Sequence, residues 1–139
     1  MALALFDTNI IIDALNNHRE AIEEMANYQD AAISVITWME AAAKMTPAEM
    51  MEFDLLLANY PIEIIHTDDL IARAAAAIRG ASLQRRPYIP LPDAIIGATA
   101  NVTGRTIITR NPRDFGASQV HVPYTMHNGV IADVLPPPP

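Results

Sequence analysis

Four acidic residues stand where the pattern of the chain changes towards a turn or a helix start: Asp7, Glu40, Asp93 and Asp114. Asp7 ends an unbroken apolar run, residues 3–6, and is followed by turn-forming Thr8 and Asn9. Glu40 falls in the first helical turn expected after a second apolar run, Asp93 opens a helix, and Asp114 closes the loop Thr109-Arg110-Asn111-Pro112-Arg113-Asp114-Phe115. Taken singly, each has an ordinary structural use. Thr37-x-x-Glu40 fits a capping box, Pro92-Asp93 fits a turn and cap, and Asn111-Pro112 followed by Asp114 fits cap, first and third helical positions. Each such cap is worth roughly 1 kcal/mol. Taken together the acids oppose one another: two carboxylates about 4 Å apart repel by about 4 kcal/mol at an effective dielectric of about 20. Three or four of them hold several such pairs, so either the acids are dispersed or a cation holds them. The chain has no cysteine, and His18, His66, His121 and His127 show no paired spacing. An all-oxygen set of this kind suits a hard divalent ion, Mg²⁺ or Mn²⁺.

The elements that must position these acids can be read from periodicity. Residues 3–6, 31–36, 62–65 and 106–109 are short apolar runs without alternation, as expected of strands covered on both faces, and residues 119–122 make a short fifth. Between them lie helical patterns. Thr8 or Asn9 is placed to cap the first helix, and Ile22, Met25 and Ala26 mark the apolar stripe of the second. Ala41-Ala42-Ala43 continues a third, and Pro47 begins a fourth that Pro61 stops. Thr67 is placed to cap a fifth, with Asp68 and Asp69 in its first turn and Gly80 weakening its last turns. Pro87, Pro90 and Pro92 make a stiff connection to a sixth over residues 93–102, where close backbone packing is the expected reason for Gly97. Strands alternating with helices give an α/β domain with a parallel sheet. Handovers that follow parallel strands share one edge, which brings Asp7, Glu40 and Asp114 together; spacing alone does not place Asp93, whose helix precedes a strand.

With 139 residues, half of them hydrophobic, the chain is long enough to bury the core of a single domain over residues 1–135, leaving residues 136–139 as a polyproline tail. No apolar run approaches the length of a membrane span, no basic region precedes the first apolar run, and the absence of cysteine suits a reducing compartment. A cytoplasmic protein with no membrane association is the expectation. Charge is unevenly placed. Residues 1–69 hold 13 acids against Arg19 and Lys44, a net of −11, whereas residues 70–139 hold three acids against seven arginines, a net of +4. The second half can therefore face a polyanion although the whole chain is acidic.

Four segments resemble those of the PIN-domain ribonucleases, above all the toxins of VapBC-type toxin–antitoxin modules: Phe6-Asp7-Thr8-Asn9 with Asp13, Ser34-x-x-Thr37-x-x-Glu40, Leu91-Pro92-Asp93-Ala94-x-Ile96-x-Ala98-Thr99-Ala100, and Thr109-Arg110-Asn111-x-x-Asp114-Phe115. In order they span about residues 3–122. The resemblance implies a three-layer α/β/α sandwich with sheet order 3-2-1-4-5, and Mg²⁺-dependent endonucleolytic cleavage of RNA, with Mn²⁺ as a substitute. It also implies a homodimer and a cognate antitoxin protein. Asp7, Glu40 and Asp93 carry over to the acidic site directly. The fourth position falls on Asp114 or Asn111, with Asp114 preferred and Asn111 as a neutral oxygen ligand or loop cap. Thr8 is a candidate for contacting the site, and Arg85, Arg86, Arg110 and Arg113 for gripping the RNA backbone. The alternative is a PIN-like scaffold that binds RNA or a protein without cutting. Two other acidic α/β readings fit less well: a dehalogenase-type phosphatase needs a second Asp where Asn9 stands, and a receiver domain needs a late Lys where the only lysine is Lys44.

Overall fold

The first strand, β1 (Ala4–Phe6), is buried at all three residues and lies in the middle of the sheet. Its side chains alternate in the manner of an extended chain, Ala4 and Phe6 joining one apolar cluster and Leu5 another. Both faces are therefore covered, which is why the run is apolar without interruption. The computed structural model describes residues 3–116 and 118–137.

In chain order, β1 is followed by α1 (Thr8–Leu15), α2 (Arg19–Ala26), β2 (Ala31–Ser34), α3 (Val35–Ala42), α4 (Pro47–Asn59), β3 (Ile62–Ile65), α5 (Asp69–Leu83), α6 (Leu91–Thr103), β4 (Thr106–Ile108), a single 3₁₀ turn (Pro112–Phe115), β5 (Val120–His121), β6 (Thr125–His127) and β7 (Val130–Ala132). The sheet runs β3-β2-β1-β4-β5, with its strands parallel. Ala4 lies opposite both Ala31 and Thr106, and Phe6 opposite Ile108, so β1, β2 and β4 end nearly level. On one face Phe6, Ile33 and Ile108 meet Ile10 and Ile11 of α1, Met25 of α2 and Phe53 of α4. On the other, Leu5, Ala32 and Ile107 meet Ile96 and Ala100 of α6, and α5 packs outside α6 through Ile71 and Ala75 against Ala98. This is the expected three-layer sandwich and sheet order.

Several boundaries move, each through a cap. Ser34 ends β2 two residues before the expected position, because its Oγ accepts from the Ile36 N–H at 3.1 Å and starts α3 there. The capping box that Thr37-x-x-Glu40 fits therefore does not form, and Glu40 stands in the second turn of α3 rather than the first. Asp7, rather than Thr8 or Asn9, is the N-cap of α1. Asp68, not Thr67, caps α5 by accepting from the Ile71 N–H at 2.8 Å, and the helix runs through Gly80 to Leu83. Helix α6 begins at Leu91 with Pro90 as N-cap, so Asp93 is a first-turn residue and not a cap. Gly97 is buried, but a Cβ there would meet Ser118 Oγ at 3.6 Å and the Ile78 and Phe115 side chains at 3.9 Å, ordinary contact distances. Close packing is thus not what requires glycine at this position.

The β6–β7 hairpin was not expected from the sequence. Asn128 and Gly129 both have positive φ, 53° and 77°, the two-residue turn that matches the twist of antiparallel strands. Pro136 and Pro137 follow with no element of their own, and the last two residues of the expected proline tail lie outside the described residues. Among the described residues no helix is long and apolar enough to cross a membrane.

Candidate active site

At the carboxyl ends of β1 and β4 the backbone turns outward beneath a network of short polar side chains. Asp7 is buried, and each of its carboxylate oxygens accepts hydrogen bonds: Oδ1 from the Thr8 N–H (2.7 Å), Oδ2 from Thr109 Oγ1 (2.7 Å) and Asn9 Nδ2 (3.2 Å). Thr109, fully buried, accepts in return from Asn9 Nδ2 (3.2 Å) and from the Asn111 N–H (3.0 Å). One hydroxyl proton and two lone pairs are all in use, which fixes the rotamer of Thr109 and with it the plane of the Asp7 carboxylate. Thr8 Oγ1 donates to Glu40 Oε1 at 2.8 Å and pairs with Thr37 Oγ1 at 3.2 Å, linking α1 to α3.

All four expected acids, with Thr8 and Asn111, line one surface cavity of about 390 Å³. Their charges act on one another. Burial raises the Asp7 carboxyl above its ordinary value; the bonds from Thr109 and Thr8 pull it back, and the charges of Asp114 and Glu40 push it up again. Asp93 is raised to about 6, first by burial, then by the charges of Asp114, Asp7 and Glu40. Asp93 thus joins the three acids at the strand ends, although its helix leads into a strand. Asp114 is the foremost charged neighbour of both Asp7 and Asp93. Asn111 lines the same cavity and makes no side-chain capping bond to the 3₁₀ turn it precedes.

The donor set fits a hard divalent cation in its chemistry: four carboxylates and an amide oxygen around one cavity, with repulsion that a cation would relieve. Among the described residues, no three His, Cys, Asp or Glu side chains are gathered closely enough to enclose a metal ion as they stand. Part of the reason is local. Glu40 is exposed and held towards Thr8, and both Asp7 oxygens face protein donors.

The four arginines separate. Arg110 borders the acid cavity, but its Nε and Nη2 are engaged by Asp13 at 2.8 and 3.2 Å. Arg113 lines an adjoining cavity of about 510 Å³ that shares Arg110, Asn111 and Asp114 with the first. Arg85 lines a different hollow, between α5, α6 and Phe115, and the Arg86 guanidinium lies over the Tyr88 ring at 4.9 Å. Neither borders the acids. Asn9 and Thr109 belong to the segments that carry the family resemblance, and Asn9 is also a candidate helix cap, but neither is expected from the sequence to bond Asp7. The signal for that bond is their place in those segments, Asn9 two residues after Asp7 and Thr109 at the end of a strand.

The family model for the PIN domain matches residues 4–117. No curated protein matches the chain. Among solved structures, a chain of "Toxin-antitoxin complex from Klebsiella pneumoniae" is 38% identical over 88% of this chain and 99% of its own, with a TM-score of 0.72. Two others share the fold at lower identity. "Crystal structure of VapBC2 from Rickettsia felis bound to a DNA fragment from their promoter" is 21% identical over 86% of this chain and 97% of its own, with a TM-score of 0.71. "Crystal structure of DNA bound VapBC from Salmonella typhimurium" is 22% identical over 87% and 98%, with a TM-score of 0.69. Acids gathered at one edge of a sheet of this order, and a match that spans all four of them, agree: the chain belongs to the PIN-domain family, whose members are in general nucleases that use divalent metal ions.

Proposed function

We propose that the chain is an Mg²⁺-dependent endoribonuclease and the toxin of a toxin–antitoxin pair. One observation supports this above the others: Asp7, Glu40, Asp93 and Asp114 line a single cavity, where burial first and then the charges of the other three raise the Asp93 carboxyl. Such a cluster is poorly suited to RNA on its own and well suited to it once a cation is bound. Asp7, Asp93 and Asp114 would hold Mg²⁺, or Mn²⁺ in its place, with Asn111 offering a neutral oxygen. A bound divalent ion supplies an acidified water and offsets charge at a scissile phosphate. Glu40, exposed and hydrogen-bonded to Thr8, orients the attacking water and takes its proton. Thr109 and Asn9 keep Asp7 from rotating as its charge is engaged. Arg113, beside the acids, is the arginine placed to meet a backbone phosphate.

The partner is a small antitoxin protein, in keeping with the toxin–antitoxin complex of Klebsiella pneumoniae that this chain resembles. An arginine presented by that partner fits the cavity, since a guanidinium fork pairs with carboxylates bidentately. The active form is a homodimer. The test is a nuclease assay on total cellular RNA with Mg²⁺ and with EDTA, beside Asp7→Asn. Expected are cleavage with Mg²⁺ only and a loss of at least about 100-fold in the variant, whose circular-dichroism spectrum is unchanged. Equal cleavage by parent and variant would remove the acid cavity from the mechanism.

A further inference from the structure

Asp13 is a buried acid outside the acid cavity: its side chain is 5% exposed, on α1, six residues after Asp7. A carboxylate so placed needs full hydrogen bonding to be tolerated. It receives two bonds from the Arg110 fork, Nε to Oδ2 at 2.8 Å and Nη2 to Oδ1 at 3.2 Å, and a third from the Tyr124 hydroxyl to Oδ2 at 2.8 Å. Tyr124 has no exposed surface. We infer that Asp13 and Tyr124 are positioning residues, which act through Arg110 to set the loop that presents Asn111 and Asp114 to the acid cavity.

The loop is tied to α1 at three successive points. Thr109 bonds Asp7, the Arg110 N–H donates to Asn9 Oδ1 at 3.2 Å, and the Arg110 side chain grips Asp13. The next residue, Asn111, begins the turn that carries Asp114, whose N–H donates to the Asn111 carbonyl at 3.3 Å. The first two ties are single neutral or singly charged bonds. The third is a bidentate ion pair with the carboxylate buried and the guanidinium partly exposed, the arrangement in which Arg adds geometric specificity as well as energy. Tyr124 directly precedes the β6–β7 hairpin, so the same carboxylate also joins the C-terminal segment to the site. A guanidinium held in this way contributes to loop geometry and not to phosphate gripping, which reverses the role expected for Arg110 from its type and place in the sequence.

The inference rests on the nuclease reading for its kinetic test and has a second readout that does not. The full chain is compared with Asp13→Asn, Arg110→Lys and Tyr124→Phe. Amide hydrogen exchange is followed at Asn111, Arg113 and Asp114 against the strand amides. Affinity for a short single-stranded oligoribonucleotide is measured in Mg²⁺ in a Glu40→Gln background that prevents turnover, and turnover is measured in Mg²⁺ without that change. Asn cannot match a bidentate carboxylate, and Lys keeps the charge but not the fork. Both are expected to speed loop exchange at least about tenfold with the strands unchanged, and to lower kcat about tenfold with RNA affinity held within about twofold. Tyr124→Phe, which keeps the buried ring, shifts both in the same direction by less. If Arg110 instead gripped phosphate, Asp13→Asn would free it and tighten RNA binding while Arg110→Lys kept most of the parent's affinity; that pattern overturns the inference. Unchanged loop exchange in all three variants overturns it as well. A parent that cleaves no RNA overturns the nuclease reading, and the exchange data still decide this one.

Discussion

Asp93→Asn tests whether the cavity stores electrostatic strain. The Asp93 carboxyl is raised from 3.8 to about 6 in the folded protein, by burial first and then by Asp114, Asp7 and Glu40. The folded state therefore binds a proton that the unfolded state has released between those two values, and stability falls as pH rises from about 4 to about 6. At 1.36 kcal/mol per pH unit the ceiling is about 3 kcal/mol. The side chain is only half-buried, and solvent screening reduces this to about 1 kcal/mol. Asparagine resembles the protonated acid in shape and in lacking charge. At pH 8 in EDTA, Asp93→Asn should accordingly be more stable than the parent by about 1 kcal/mol, a rise in Tm of about 3 °C for a domain of this size. The difference should close as pH falls towards 4, where the parent carboxyl is itself protonated. Thermal melts followed by circular dichroism from pH 4 to pH 8 measure both. Millimolar Mg²⁺ should raise the Tm of the parent by mass action and that of the variant by less. The reasoning fails if the variant is the less stable protein at pH 8 in EDTA, or if the gap does not change with pH.

Two further outcomes follow from local geometry. Gly97→Ala should stabilise the protein by about 0.5–1 kcal/mol in urea denaturation, because the added Cβ makes ordinary contacts and a helix-interior glycine is entropically unfavourable; a loss of stability would show that α5 and Phe115 cannot accept the methyl. Ser34→Ala should lose about 1 kcal/mol in the same measurement, as its hydroxyl caps α3. A change of only a few tenths would mean that the helix does not depend on that cap.

How much of this was legible in the sequence depends on the kind of signal. The strands were legible because runs such as Leu5-Phe6 and Ile107-Ile108 are buried on both faces of a central sheet, and apolar continuity survives small errors of register. Helix starts were less so. Val35 and Ile36 are β-branched and read as strand, yet the hydroxyl of Ser34 outcompetes that preference by capping the Ile36 N–H. The hairpin around Asn128 and Gly129 carries a strong short-range turn signal, but its strands are only three residues long and only partly buried, so no apolar run marks them. Within the site, charge was visible and orientation was not. Four carboxylates can be counted in a sequence, whereas the use of Thr109 as donor to Asp7 and acceptor from Asn9 joins residues about a hundred positions apart.

The acidic balance of the chain then bears on how a polyanion reaches the site. With a net charge of −7, the protein repels RNA at long range, and the acid cavity adds to that repulsion until a cation fills it. Arg110 does little to offset this, since its charge is paired with Asp13. Among the described residues, Arg113 lines the adjoining cavity beside the acids, while Arg85 and Arg86 lie away from them. A substrate backbone would therefore be drawn to the Pro112–Phe115 turn first, and from there across Asn111 and Asp114 towards Asp7. On this path the loop both receives the phosphate and carries an acid of the site. Holding that loop still would then be worth more to the proposed reaction than one further free positive charge, a physical reason for Arg110 to be bound to Asp13, which the Tyr124 hydroxyl also bonds.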